Sequence, residues 1–214
     1  MFDLDGTLLD TAPDFVAIVN MLLQEHNRPP LAPEKIRACV SNGARALVAT
    51  AFDIDETYPT FQALRLRLLE LYIDHIAVFT KPFPGIENLL RQLAQHNIAW
   101  GIATNKPAIY TSAILLKLNL QPIPASVICP EHVKESKPSP ESLFLAAEQI
   151  GCTTQEIIYI GDHQRDIECG KRAGSITVAA AYGYIDDEKN IAEWQADYRV
   201  EHADDIWPIV EKYM

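Results

Sequence analysis

Near the start of the chain, Phe2-Asp3-Leu4-Asp5-Gly6-Thr7 places two carboxylates one residue apart, where an apolar start breaks into Gly-Thr. If Phe2-Asp3-Leu4 ends a strand, Asp3 and Asp5 project past the carboxyl edge of a sheet, where open α/β sheets bind ligands. Two such acids repel each other, so they need a cation between them or a shared proton. Their oxygens suit a hard ion such as Mg²⁺. A solvated Asp-Gly turn fits the same residues equally well. Three further stretches offer matching chemistry. Thr104-Asn105-Lys106-Pro107 follows the apolar run 98–103, so Thr104 offers a hydroxyl, and the next helix start offers free N–H groups, to an anion. Simple helix capping by Thr104 or Asn105 is the plainer alternative. In Lys134-Glu135-Ser136-Lys137-Pro138, Lys137 stands just before a helix. It is the cation a site with three acids requires to hold an anionic phosphorus centre, or else part of a solvated charge run. Gly161-Asp162-His163-Gln164-Arg165-Asp166 ends another apolar run. Asp162 could complete an oxygen set with Asp3 and the carbonyl of Asp5, and Asp166, one helical turn on, could orient the ligands from behind. The same residues also fit a Gly-Asp turn with an acid in a first helical turn, where the dipole favours it.

The elements that must carry these residues follow from apolar spacing. Between 12 and 80, Phe15, Ile18, Val19, Leu22 and Leu23 form one helical stripe, Ile36, Val40, Ala44, Leu47 and Val48 a second, and Leu64, Leu68, Leu71 and Tyr72 a third. Thr11 with Asp14 predicts a capping box at the first helix start. From 81 onward, helices at 86–96, 107–118, 140–150 and 166–173 alternate with strands at 98–103, 126–129, 157–160 and 176–180. A final strand at 197–200 and a helix from 203 follow. Alternation of this kind predicts βαβ units and a parallel sheet covered on both faces. A helical domain, 12–80, is thus inserted into an α/β core made of 1–11 and 81–214. A central parallel strand usually has about five residues. Only Met1 and Phe2 precede Asp3, so the reading expects missing upstream residues or an unusually short first strand.

The chain has 214 residues, 48% of them apolar and 22% charged, with a formal charge of −11. That is ordinary for a globular protein and argues against non-specific nucleic-acid binding, which needs a basic footprint. Cys39, Cys129, Cys152 and Cys169 form no Cys-x-x-Cys pair, so reduced thiols are expected, with neither zinc nor disulfides. No run approaches the roughly 18 apolar residues of a membrane span, and the N-terminus carries acids in place of a leader's basic region. The reading is a cytoplasmic protein without membrane partners, monomeric or homodimeric.

Asp-x-Asp-Gly-Thr, a strand-end Thr, Lys-Pro-x-Pro-Glu and Gly-Asp-x-x-x-Asp, in that order, resemble the haloacid dehalogenase superfamily, and the helical insert resembles its C1-type cap. The resemblance covers the whole chain. It implies a Rossmann-like parallel-sheet core with an inserted all-helical cap domain, and a Mg²⁺-dependent phosphomonoesterase. Carried over by residue, it implies that Asp3 is the nucleophile forming an aspartyl-phosphate. Asp5 is then the acid that protonates the leaving alcohol and the base that activates water. Thr104 hydrogen-bonds the phosphoryl group, Asn105 is a substrate-binding candidate beside it, and Lys137 neutralises the phosphoryl group and steadies Asp3; Asp3, the Asp5 carbonyl and Asp162 hold Mg²⁺, and Asp166 supports them. Asp5 favours an alcohol leaving group over halide, and the Lys-Thr-Gly sequence of the superfamily's ATPases is absent. Closure between the two parts, about linkers at 10–13 and 80–84, is expected to exclude water.

Substrate choice is expected to come from the cap. There Ser41-Asn42-Gly43 opens a helix with backbone donors, and Arg45 could hold a substrate carboxylate bidentately, or simply be a solvated arginine beside a helix cap. The chain looks most like phosphoglycolate phosphatase-type proteins. Ser41–Ala46, 161–167 and Tyr182-Gly183-Tyr184-Ile185 with Trp194 and Ala196-Asp197 also resemble N-acetylmuramic acid 6-phosphate phosphatases. The two substrates share a phosphomonoester and a carboxylate. A phosphosugar mutase and a catalytically silent binding domain are the weaker alternatives. His163 and Arg165 read as surface residues at a helix start or as groups at the mouth of the site. Tyr182 and Tyr184 read as packing of a core loop, and Trp100, Trp194 and Trp207 as core or rim packing.

Overall fold

A computed structural model describes residues 1–185 and 191–214. The chain forms two compact units, Asp10–Lys81 and Met1–Leu9 with Pro82–Met214. Two-residue strands β1 (Leu9–Asp10) and β2 (Lys81–Pro82) pair with each other.

The first of these units is helical. Helix α1 (Ala12–Glu25) buries Phe15, Ile18, Val19, Leu22 and Leu23, the apolar stripe of its sequence. It is followed by α2 (Pro33–Arg37), a 3-10 turn Val40–Asn42, α3 (Gly43–Phe52) and α4 (Phe61–Asp74). Phe15 stacks on Tyr72 of α4 with centroids 4.3 Å apart. The capping box expected at Thr11 does not form. Thr11 has helical backbone angles (φ −91°, ψ −9°) and no side-chain cap bond. Asp14 instead accepts from the Phe79 N–H and the Thr80 hydroxyl, both at 2.6 Å. A buried carboxylate is best served by two short donors, and here a distant segment supplies them better than the local turn.

In the other unit, β3 (Gly101–Ala103) pairs with β4 (Ser126–Ile128), and β5 (Ile158–Gly161) with β6 (Ile176–Ala180) and then β7 (Tyr198–Val200), all parallel. Phe2 joins the two groups through parallel bridges to Ile102 and Ile160. Its N–H donates to Gly101 O at 2.9 Å, and the Asp3 N–H donates to Ile160 O at 2.8 Å. The order is therefore β4, β3, the first residues, β5, β6, β7, the doubly wound arrangement with its switch point beside Asp3. The Met1 nitrogen donates to Ile158 O at 2.8 Å.

Helices α5 (Ile86–Gln95), α6 (Ala108–Leu118), α7 (Glu141–Ile150) and α8 (Gln164–Ala173) connect the strands, and Trp207–Glu211 forms a short last helix after a 3-10 turn Ala203–Ile206. Two boundaries differ from expectation for local reasons. Residues 98–100 are outside β3 because the Ile98 N–H closes the end of α5 on Leu93 O at 2.9 Å, with Asn97 left-handed at φ 56°. Helix α8 begins earlier than expected because His163 caps it. Its ring accepts from the Arg165 N–H at 3.2 Å, and Asp166 accepts the His163 N–H at 3.1 Å.

Trp100 is buried and Trp194 half-buried, with the Trp194 ring parallel to that of His163 at 6.5 Å. All four cysteines are free thiols. Among the described residues no helix is long and apolar enough to cross a membrane.

Candidate active site

The carboxyl ends of the central strands gather the acids. Asp3 follows the bridge residue Phe2, Asp162 follows β5, and Asp166 lies in the first turn of α8. One carboxylate oxygen from each lies within 4.8 Å of the others. Lys137 enters this cluster from the loop before α7. Its Nζ is 2.6 Å from Asp166 Oδ1 and 2.8 Å from Asp3 Oδ1, and it donates to Ala103 O and the Tyr159 hydroxyl, both at 3.0 Å. Burial alone would lower its pKa, but the Asp166 and Asp3 carboxylates outweigh that and hold it above the usual lysine value.

Among the described residues, the three carboxylates of this cluster face one ammonium, which leaves negative charge in excess. The consequence appears at Asp162, whose pKa is raised to about 8 by burial first and then by Asp3 and Asp166. Asp166 rises to about 6 through burial, with Lys137 opposing the shift. Asp3 Oδ1 is buried and, apart from its ion pair with Lys137, makes no hydrogen bond. A divalent cation fits this set. It would balance the excess charge and use Asp3 Oδ1, which accepts no hydrogen bond beyond its ion pair with Lys137.

Asp162 is held for such a role. The Thr7 hydroxyl donates to its Oδ1 at 3.1 Å and the Tyr184 N–H to its Oδ2 at 2.9 Å. Gly6 makes the close approach possible: it sits at φ +81°, and a Cβ there would run into the Asp162 carboxylate. The Tyr182 hydroxyl donates to Thr7 O at 3.0 Å, so the loop after β6 braces the Gly6-Thr7 turn. Tyr182 and Tyr184 thus pack a core loop, and through Tyr184 that loop also reaches an acid of the cluster.

Thr104, Asn105 and Lys106, directly after β3, each do something different. The Thr104 hydroxyl oxygen accepts from the Lys106 N–H at 3.1 Å, which leaves its hydrogen to donate elsewhere. Asn105, expected to touch substrate, brackets the backbone of Lys137. Its Nδ2 donates to Lys137 O and its Oδ1 accepts the Lys137 N–H, both at 3.0 Å. Lys106 reaches Asp5, with Nζ 3.0 Å and 3.1 Å from the two carboxylate oxygens. The Asp5 side chain therefore faces a lysine, outside the three-carboxylate cluster.

The remaining expected residues belong to the helical unit. Ser41 and Asn42 lie in the 3-10 turn, and Gly43 opens α3 at φ 76°. The exposed Arg45 pairs with Glu56 at 3.0 Å. His163 is half-buried, and its pKa falls to about 4 through burial, assisted by Arg165. Four residues carry contacts that spacing did not reveal: Lys106, Thr7, Tyr159 and Tyr184. For Lys106 a signal was present, since a paired acid motif requires counter-charges and Lys106 stands two residues after Thr104. Tyr159 reads only as a strand residue until its hydroxyl is seen between Lys137 and Ala103 O, to which it donates at 2.8 Å.

A family model described as haloacid dehalogenase-like hydrolase matches residues 1–181. The chain is 42% identical over 212 residues to an N-acetylmuramic acid 6-phosphate phosphatase of Pseudomonas aeruginosa, covering 99% of this chain and 94% of that one. It is 38% identical over 208 residues to a phosphoglycolate phosphatase of Xanthomonas campestris, covering 97% and 93%. A crystal structure of a predicted phosphoglycolate phosphatase from Haemophilus somnus superposes with a TM-score of 0.83 at 24% identity, over 97% of this chain and 95% of that one.

Proposed function

Because the chain belongs to the haloacid dehalogenase-like hydrolases, we propose that its acid cluster hydrolyses a small phosphomonoester through a phosphorylated Asp3. The observation that carries this reading is the pairing of Asp3 with the buried Lys137 beside Asp162 and Asp166. Asp3, Asp162 and the Asp5 carbonyl would hold Mg²⁺, with Asp166 and Thr7 fixing the acids. When bound, the ion neutralises charge on the phosphoryl oxygens and on the attacking carboxylate.

Asp3 attacks phosphorus in line with the leaving oxygen, and Lys137 stabilises the charge spread over the phosphoryl group. The Thr104 hydroxyl donates to a phosphoryl oxygen. Asp5 gives its proton to the departing alcohol. As a carboxylate it then takes a proton from the water that attacks the phosphoryl group on Asp3, which returns Asp3 and releases phosphate. Asn105 acts by fixing Lys137.

The substrate is a phosphomonoester that also bears a carboxylate, with 2-phosphoglycolate as the main reading. N-acetylmuramic acid 6-phosphate is the second reading, favoured by the higher identity to a phosphatase of that name. Comparison of kcat/KM on these two esters decides between them. Hydrolysis of a nitrophenyl ester that EDTA abolishes and Mg²⁺ restores tests the metal, and activity that survives Asp3→Asn would sink the mechanism.

A further inference from the structure

Lys106 is a buried ammonium that the mechanism above does not use. Its Nζ approaches both oxygens of Asp5, at 3.0 Å and 3.1 Å, and the two side chains are only 6% and 17% exposed. Its own backbone is fixed on both sides. The N–H donates to Thr104 Oγ1 at 3.1 Å, and the carbonyl accepts from the Thr111 hydroxyl at 3.2 Å. The base of the lysine is therefore tied to the hydroxyl assigned to the phosphoryl group, while its tip grips the carboxylate assigned to the proton.

We propose that Lys106 is a positioning residue for Asp5, setting the orientation of the carboxyl group that exchanges a proton with the leaving oxygen. This rests on the role of Asp5 in the proposed hydrolysis. An Asp side chain has two torsions, and proton transfer needs one oxygen within hydrogen-bond reach of the departing atom. A cation that contacts both oxygens restrains both torsions. Because the restraint is anchored on Thr104, the acid and the phosphoryl contact keep a fixed spacing. Residues 104–106 thus act as one device: Thr104 for the phosphoryl group, Asn105 for Lys137 and Lys106 for Asp5.

A structural role and a positioning role separate on a series of phosphomonoesters running from nitrophenyl to simple alkyl. A nitrophenolate leaves without a proton, whereas an alkoxide needs one. The quantity to follow is kcat/KM, which reports the step in which the alcohol departs. Lys106→Met is expected to lose less than about tenfold on the nitrophenyl ester and about 10²-fold on the alkyl ester, the low end of what general acid catalysis supplies. Lys106→Arg should recover part of the alkyl loss. In Asp5→Asn, adding Lys106→Met should cost little more, because the two residues act as a unit. An equal loss on every ester, no loss on the alkyl ester, or full additivity with Asp5→Asn would each overturn the proposal. If circular dichroism shows Lys106→Met unfolded, Lys106→Arg is run on the same series, where a loss confined to poor leaving groups supports the proposal and an even loss refutes it. Asp3→Asn on the nitrophenyl ester keeps the two ideas apart, since activity there would defeat the hydrolytic mechanism and leave the leaving-group series without bearing on it.

Discussion

Lys137 holds the acids together, so its loss should be felt in stability before chemistry. Lys137→Met removes an ammonium that faces both Asp3 and Asp166, leaving buried carboxylates uncompensated. A destabilisation of about 3–5 kcal/mol is expected in urea unfolding of the metal-free protein, and an unchanged midpoint would show that the pair is not what holds the cluster. Asp3→Asn, by contrast, removes one of the competing charges. It should keep the fold while lowering phosphate release by about 10³-fold or more, measured with the nitrophenyl ester. Tyr159→Phe deletes a hydroxyl that accepts from Lys137 and donates to Ala103 O. The expected cost is about 1–2 kcal/mol in the same unfolding experiment.

At the scale of elements, the site depends on how strands end. The Gly6-Thr7 turn must pass close to Asp162, and only a residue without Cβ fits there at φ +81°. Gly6→Ala is expected to destabilise the protein by about 1–3 kcal/mol and to weaken Mg²⁺ binding, read by calorimetric titration. Full Mg²⁺ affinity in this variant would mean that the turn does not shape the acid cluster. Much of this level was legible in the sequence, because short apolar runs followed by Gly, Asp or Thr mark strand ends. The failures were local competitions. Thr11 and Asp14 carry the capping pattern, but Asp14 is taken by Phe79 and Thr80. Residues 98–100 have strand-like composition, but the Ile98 N–H is taken by the end of α5.

For the whole molecule, the acid cluster makes stability depend on pH in a way that metal reverses. The pKa of Asp162 is about 8 when folded without metal and about 3.9 for an unperturbed aspartate. Between those values the folded state holds a proton that the unfolded state has released. This group's contribution is therefore fully present below about pH 4 and is lost as pH rises through 8. A cation stabilises the ionised form, so the gain in melting temperature on adding Mg²⁺ should be larger at pH 8 than at pH 5.5. Equal gains at both values would show that Asp162 is not displaced from its proton by metal.

The sequence by itself determined the chemistry available. Asp3, Asp5, Thr104 and Asp162 were identifiable as residue types at strand ends, with Lys137 and Asp166 beside helix starts, and the apolar periods separated a helical insert from an α/β core. Those are local properties, fixed by spacing and by the period of each element. Only the tertiary structure decided which groups meet. It set the first residues between β3 and β5 and so brought Asp3 to Asp162, residues far apart in the chain. It turned Asn105 toward the Lys137 backbone, and it gave Asp5 to Lys106 across a separation of 101 residues. Such partnerships depend on strand order and side-chain direction, and local spacing carries no record of either.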